Sequence, residues 1–279
     1  IGAFRAILDT APDISDVNIM PSGNATFVYD ADGNQLQKLS APNANRMSVS
    51  ISKIPLNMQH AIVAIEDERF YEHNGIDIQG ILRAFVNGVS HGFHFNEGAS
   101  TLTQQLLKNN VFTNWTKEST WLERFTRKFQ EQYLAIKLEN DMDKDKILEN
   151  YMNTINLGQN TLGVQAASKR YFGKNVYELN LSECAVIAAI TQNPSRYNPI
   201  THPEKNAERR EKVLTNMLEQ GYISQSEFDA ALADDVYSRI QTVNEETGEN
   251  AINSYFVDAL TEAVMDDLEA AGYSEAQAF

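Results

Sequence analysis

Residues 52–75 read SKIPLNMQHAIVAIEDERFYEHNG. Pro55 suits a first helical turn, and Leu56, Ile62, Val63 and Ile65 give one apolar face, so the spacing predicts a helix that ends near Glu66. A carboxylate at that point lies at the negative end of the helix dipole and beside apolar Phe70, a setting that suits a general base. Taken by itself, the acidic run also fits a solvated surface cluster.

Residues 97–110 read EGASTLTQQLLKNN. A turn-like EGAS is followed by Thr101 as an N-cap with Gln104 as its reciprocating partner, which predicts a helix starting at about Thr101. Thr101, Gln105 and Lys108 then share one stripe at i, i+4, i+7, while Leu102, Leu106 and Leu107 face elsewhere. The stripe suits an oxygen-rich ligand, and free N–H groups at the helix start suit phosphate. An ordinary capped surface helix has the same signature.

A further helix is predicted over 120–139, where Arg124, Arg127, Lys128 and Glu131 fall at i, i+3, i+4 and i+7. Leu122, Phe125, Phe129, Leu134, Ile136 and Leu138 supply apolar surface for docking it into a core. The charged face fits either a ligand cleft or a set of surface ion pairs.

In order, EDERFYEHNG (66–75), GASTLTQQLLKN (98–109), RKFQE (127–131), KILENYMNTINLG (146–158) and RREKVL (209–214) resemble the five-motif signature of the peptidoglycan glycosyltransferases, glycosyltransferase family 51. The resemblance covers roughly residues 48–222 and extends to GVQAASKRYFGKNVYELNLSECAVIAAI and NPSRYNP between the motifs. Glu97 stands where a glutamine often precedes the glycine of the second motif, and Ala99 where many relatives have glycine.

The resemblance implies a mainly α, lysozyme-like, two-lobed helical domain that polymerises lipid II, an undecaprenyl-pyrophosphate-linked disaccharide pentapeptide, into glycan strands by an inverting displacement. By motif position Glu66 is the general base on the acceptor 4-hydroxyl, and Glu131 the second carboxylate, on the donor side. Asp67, Phe70, His73, Ser100, Thr101, Gln105, Lys108, Asn109, Arg127 and Lys128 would bind substrate. A pyrophosphate leaving group develops negative charge and needs fixed positive partners, which Lys108, Arg127 and Lys128 can supply. Arg209, Arg210, Tyr151 and Asn153 match motifs but read as bracing and core residues.

No cofactor is required by this reading. A divalent cation, Mg or Mn, is compatible with the pyrophosphate, yet no His/Cys cluster or multi-carboxylate loop specifies a metal site. The expected partners are lipid II and the nascent glycan strand, the outer face of the bacterial cytoplasmic membrane, and other cell-wall synthesis proteins.

Other features bound the picture. A length of 279 residues allows a sizeable core. The formal charge of −15 makes nucleic acid an unsuitable partner, but the acids gather at 139–145, 229–235, 245–249 and 266–269, away from the basic stripe at 108–137. Cys184, in LSECAVIAAI, reads as a buried apolar residue. Further helices are expected near 77–91, from about Asp143, and near 160–172, 181–193, 203–220, 224–233 (with a Ser224/Glu227 capping box) and 252–271. ATFVYDADGNQLQKL predicts a small N-terminal β-hairpin turning at Asp32-Gly33.

The domain reading is therefore a membrane-proximal accessory segment over 1–50, a glycosyltransferase domain over 51–223, and a helical linker over 224–279 leading toward a transpeptidase domain. A membrane anchor upstream of Ile1 is expected too. No run reaches the ~18 apolar residues of a membrane span. Helix 77–91 carries Ile78, Ile81, Leu82, Phe85, Val86 and Val89 on one face, which either packs in the core or meets a membrane, and Phe93 and Phe95 beyond it are expected to dip into the bilayer. A lysozyme-like lytic enzyme is the rival reading, since it too needs a glutamate in a helical cleft, but it has no use for cations placed for pyrophosphate. A non-catalytic glycan-binding module is the third.

Overall fold

The computed structural model describes residues 2–14, 26–29, 35–39, 47–90, 99–112, 115, 118–245 and, in the C-terminal region, 259–260, 263–264, 266–268 and 270–271. It is mainly helical. The chain runs through α1 (Gly2–Asp9), β1 (Thr26–Tyr29), β2 (Gln35–Leu39), α2 (Leu56–Glu66), α3 (Ile78–Ser90), α4 (Leu102–Asn110), α5 (Trp121–Asp141), α6 (Lys144–Thr154), α7 (Val164–Phe172), α8 (Leu181–Ile190), α9 (Pro203–Glu219), α10 (Gln225–Ala233) and α11 (Val236–Glu245). β1 and β2 pair antiparallel, with Thr26 opposite Leu39 and Val28 opposite Gln37. The expected turn at Asp32-Gly33 lies outside the described residues, as does most of the expected helix over 252–271.

The chain divides into two compact units: residues 1–19 with 66–151, and residues 20–65 with 152–279.

In the first unit, α4 and α5 pack together and α1 lies on α5, tied by Gln130 Nε2 donating to the Ile7 carbonyl at 2.8 Å. Capping boxes start both α4 (Thr101/Gln104) and α5 (Thr120/Glu123). Gly75 sits against α5 with φ +87°, and its carbonyl accepts from Thr101 Oγ1 at 2.7 Å.

One sequence expectation fails here in part, and one open alternative is decided. Leu122, Phe125 and Ile136 of α5 are exposed, whereas Gln130, Glu131, Leu134, Ala135 and Leu138 are buried. The buried stripe of α5 runs through the motif residues rather than beside them, because a 3.6-residue period fixes which residues share a face but not which face turns inward. Likewise Ile78, Leu82, Phe85 and Val86 of α3 are each about 60% exposed (62%, 59%, 58% and 62%), so this face is not core. Phe93 and Phe95, His91 and His94 lie outside the described residues.

In the second unit α8 is the centre. Its residues from Ser182 to Ile190 are all buried, as expected of a helix apolar on every side, and α9, α7 and α10 pack round it. Cys184 is fully buried there, and burial pushes its thiol well above the usual range. Glu183 is buried at the start of α8 because three groups satisfy it: the Asn180 N–H, Lys174 Nζ at 2.8 Å and Arg239 Nε at 3.0 Å. Arg239 belongs to α11, and Arg210 of α9 donates to the Ala231 and Leu232 carbonyls at 3.1 Å, so residues 225–245 share this unit's core. Arg209 stacks on Tyr197 at 5.1 Å. Leu56 is exposed, against expectation, while Met58, Ala61, Ile62, Val63 and Ala64 carry the buried face of α2. The Ala64 carbonyl in the last turn of α2 accepts from both Asn216 Nδ2 and Gln220 Nε2 at 3.0 Å.

Candidate active site

Every residue singled out from the motifs as catalytic or substrate-binding lies in the first unit. The site is built from the end of α2, the segment 67–77, α4 and the inward stripe of α5.

Glu66 is the last residue of α2 and is partly exposed. Its Oε2 accepts a hydrogen bond from Gln105 Nε2 at 2.9 Å. The predicted α4 stripe holds: Thr101 caps, Gln105 meets Glu66, and Lys108 lies one turn further along.

Glu131 is completely buried, and a carboxylate in that position needs paired cations. Arg127, one turn earlier, donates through Nη1 to Oε1. Lys128 Nζ lies 3.0 Å from Oε2, close enough for an ion pair but not aligned as a hydrogen bond. Lys128 also donates to Ser100 Oγ at 3.0 Å. Arg127 Nε is committed to Glu118 at 2.6 Å, so the guanidinium is held between two carboxylates.

Lys108 joins the two halves. Burial holds its ammonium below the usual lysine range; Lys128 and Arg127 add repulsion, which Glu131 and Glu66 oppose. Both acids and the other two cations therefore lie close enough to act on Lys108. The Lys108 ammonium also sits 4.3 Å from the Trp115 ring centroid, a cation–π contact that no motif announced.

Other motif residues are used inside the protein. Asp67 is buried; it accepts the Leu102 N–H at 2.9 Å and faces His73 Nε2 at 2.9 Å. Together with Thr101 Oγ1, which accepts the Gln104 N–H, Asp67 occupies the start of α4 where the sequence suggested a phosphate cradle. The protein has put its own anion at that helix end. The His73 side chain is only 7% exposed, between Asp67 and Glu139. Phe70 is fully buried under the Lys144 ammonium, 4.4 Å from the ring centroid. Asn109 is exposed at the far end of α4.

Sequence reasoning missed Glu139 and Lys144. Glu139 is 2% exposed at its side chain, takes the Thr103 hydroxyl at 2.5 Å, and pairs with Lys144 Nζ at 2.7 Å. Thr103 and Glu139 are 36 residues apart, so no local spacing could have revealed them.

Among the described residues no three His, Cys, Asp or Glu side chains are grouped to hold a metal ion. Glu131 is already surrounded by cations, a poor donor set for a resident metal.

Comparison with known proteins gives one family. The family model described as "Transglycosylase" matches residues 32–218. Penicillin-binding protein 1A of Clostridium acetobutylicum is 42% identical over 243 residues, covering 84% of this chain and 30% of that protein. Penicillin-binding protein 1F of Bacillus subtilis is 46% identical over 200 residues, covering 72% and 27%. A crystal structure of penicillin-binding protein 1A from Haemophilus influenzae is 26% identical, covering 77% of this chain and 21% of that one, with a TM-score of 0.42. The chain thus spans about 30% of the length of the curated relatives it matches.

Proposed function

The chain belongs to the transglycosylase family, and from that premise we propose that it is the glycosyltransferase domain of a class A penicillin-binding protein, polymerising lipid II with release of undecaprenyl pyrophosphate. One observation carries this reading: Glu66, held by Gln105, and Glu131, buried between Arg127 and Lys128, both act on Lys108 within a single compact unit. That is an acid–base group and a cationic cluster in the combination a pyrophosphate-leaving displacement needs.

In the proposed reaction Glu66 takes the proton of the acceptor 4-hydroxyl. The oxygen attacks the anomeric carbon of the growing strand, inverting it, and the bond to the pyrophosphate oxygen breaks. The electrons leave on the pyrophosphate, facing Lys108 and Lys128, the latter with a side chain 43% exposed. Arg127, committed to Glu118 and Glu131, keeps the second carboxylate oriented. The proposal assigns the positive charge at the leaving group to these side chains, and no step runs through a metal.

The test is incubation with labelled lipid II and, separately, with purified glycan strands, each with and without excess chelator. Polymer growth from lipid II in both conditions is expected. Strand shortening without growth would replace the transferase by a lytic enzyme, and growth only without chelator would restore the divalent cation.

Among the described residues no helix is long and apolar enough to cross a membrane. The exposed face Ile78, Leu82, Phe85 and Val86 of α3 supports placement on the outer surface of the cytoplasmic membrane, where a lipid-linked substrate resides. Leu82→Ser/Phe85→Ser is expected to lower co-flotation with anionic liposomes at least severalfold without changing thermal unfolding. Equal flotation would remove that face from the membrane contact.

A further inference from the structure

Tyr151 lies on α6 and is 1% exposed, flanked on the same helix by fully buried Ile147 and Leu148. Its hydroxyl donates to Gln105 Oε1 at 3.2 Å, and the other end of that amide, Nε2, donates to Glu66 Oε2 at 2.9 Å. The three groups form one directed chain across 46 and 39 residues of sequence.

Its direction is fixed by chemistry. An ionised carboxylate only accepts, so the amide must turn its NH₂ toward Glu66. That leaves the amide oxygen facing Tyr151, and the phenol, which can donate or accept, must donate. A flipped amide would set oxygen against oxygen at Glu66. Donation from Tyr151 also polarises the amide and strengthens its own N–H donation onward.

The tyrosine is held stiffly enough to set this geometry. At the other end of α6, two turns before Tyr151, Lys144 pairs with Glu139 at 2.7 Å and covers Phe70, four residues after Glu66. Packing of α6, rather than the mobility of a surface side chain, therefore sets where the Tyr151 oxygen lies.

Resting on the transferase reading, we infer that Tyr151 is a positioning residue for the reaction: it locks the Gln105 amide so that the Glu66 carboxylate is held in one orientation toward the acceptor hydroxyl. It touches neither substrate nor the reacting atoms. Its effect passes through Gln105.

The experiment is a double-mutant cycle on the full chain with lipid II, comparing wild type, Tyr151→Phe, Gln105→Ala and the double variant, with kcat, KM and thermal unfolding recorded for each. Tyr151→Phe keeps the ring and its packing. It is expected to lower kcat about threefold to tenfold, the usual worth of one hydrogen bond, with KM unchanged. In the Gln105→Ala background the same substitution is expected to change kcat by less than about twofold, because the group it acts through is gone. Equal losses in both backgrounds, or no loss in the wild-type background, would overturn the positioning role while leaving the transferase reading intact. A wild-type chain that fails to polymerise lipid II would remove that reading and the positioning role together.

Discussion

Glu66→Gln is expected to lower lipid II turnover by about 10²- to 10⁴-fold, the range a positioned general base contributes, while leaving the fold unchanged. The substitution is nearly isosteric and Glu66 is partly exposed, so no buried cavity is created. The glutamine can still offer an oxygen to Gln105 Nε2, which keeps the local hydrogen bond. What disappears is the ability to accept a proton from the acceptor hydroxyl. Circular dichroism and thermal unfolding matching wild type, alongside lost polymer formation, is the expected pair of results. Turnover within a few-fold of wild type would take the base role away from this residue. Glu131 offers no equally clean test. It is fully buried against Arg127 and Lys128, so neutralising it removes a counter-charge that both cations face and perturbs α5 as well as the chemistry.

Gly75→Ala is expected to damage the fold and, through it, the placement of the site. Gly75 has φ +87°, and a Cβ there would lie 2.5 Å from the Ala135 carbonyl carbon and 2.6 Å from both the Ala135 oxygen and the Ile136 nitrogen. These are backbone atoms of α5 and cannot swing aside. Left-handed strain of about 1–3 kcal/mol and overpacking of about 1–3 kcal/mol together give a loss of roughly 2–6 kcal/mol. For a chain of this size that lowers Tm by roughly 5–20 °C. The same contact spaces α5 from Thr101, whose hydroxyl bonds the Gly75 carbonyl, so activity at low temperature should fall as well. A Tm within 2 °C of wild type, on the scale of about 2–4 °C per kcal/mol, would show that the backbone relaxes freely and that this close approach is not needed.

The two substitutions separate what the first motif does. EDERFYEHNG contributes one carboxylate, Glu66, to the proposed chemistry. Asp67, Phe70, His73 and Gly75 are spent on holding α4, α5 and α6 against the segment that carries it. Read by type alone, Asp67 and His73 look like ligands for substrate. Their burial, and the Leu102 N–H and Glu139 beside them, give them partners within the protein. A buried polar group of this kind costs stability unless it is satisfied, which is why such residues come in mutually bonded sets.

The amino-acid sequence by itself determined most of the helices, α1 and α11 excepted, and much of what lies on each. Thr101/Gln104 and Ser224/Glu227 announce their caps, LSECAVIAAI buries Cys184 as its apolar run suggests, and Arg127, Lys128 and Glu131 must share a face because the helix repeats every 3.6 residues. Only the tertiary structure decided which faces turn inward. It put Glu131 inside and Leu122 and Phe125 outside, gave the start of α4 to Asp67, and joined Tyr151 to Gln105 to Glu66. Spacing along a helix is local geometry, readable within a few residues. Which side of that helix meets another is settled by contacts between segments some 35–46 residues apart, and those depend on the packing of the whole unit.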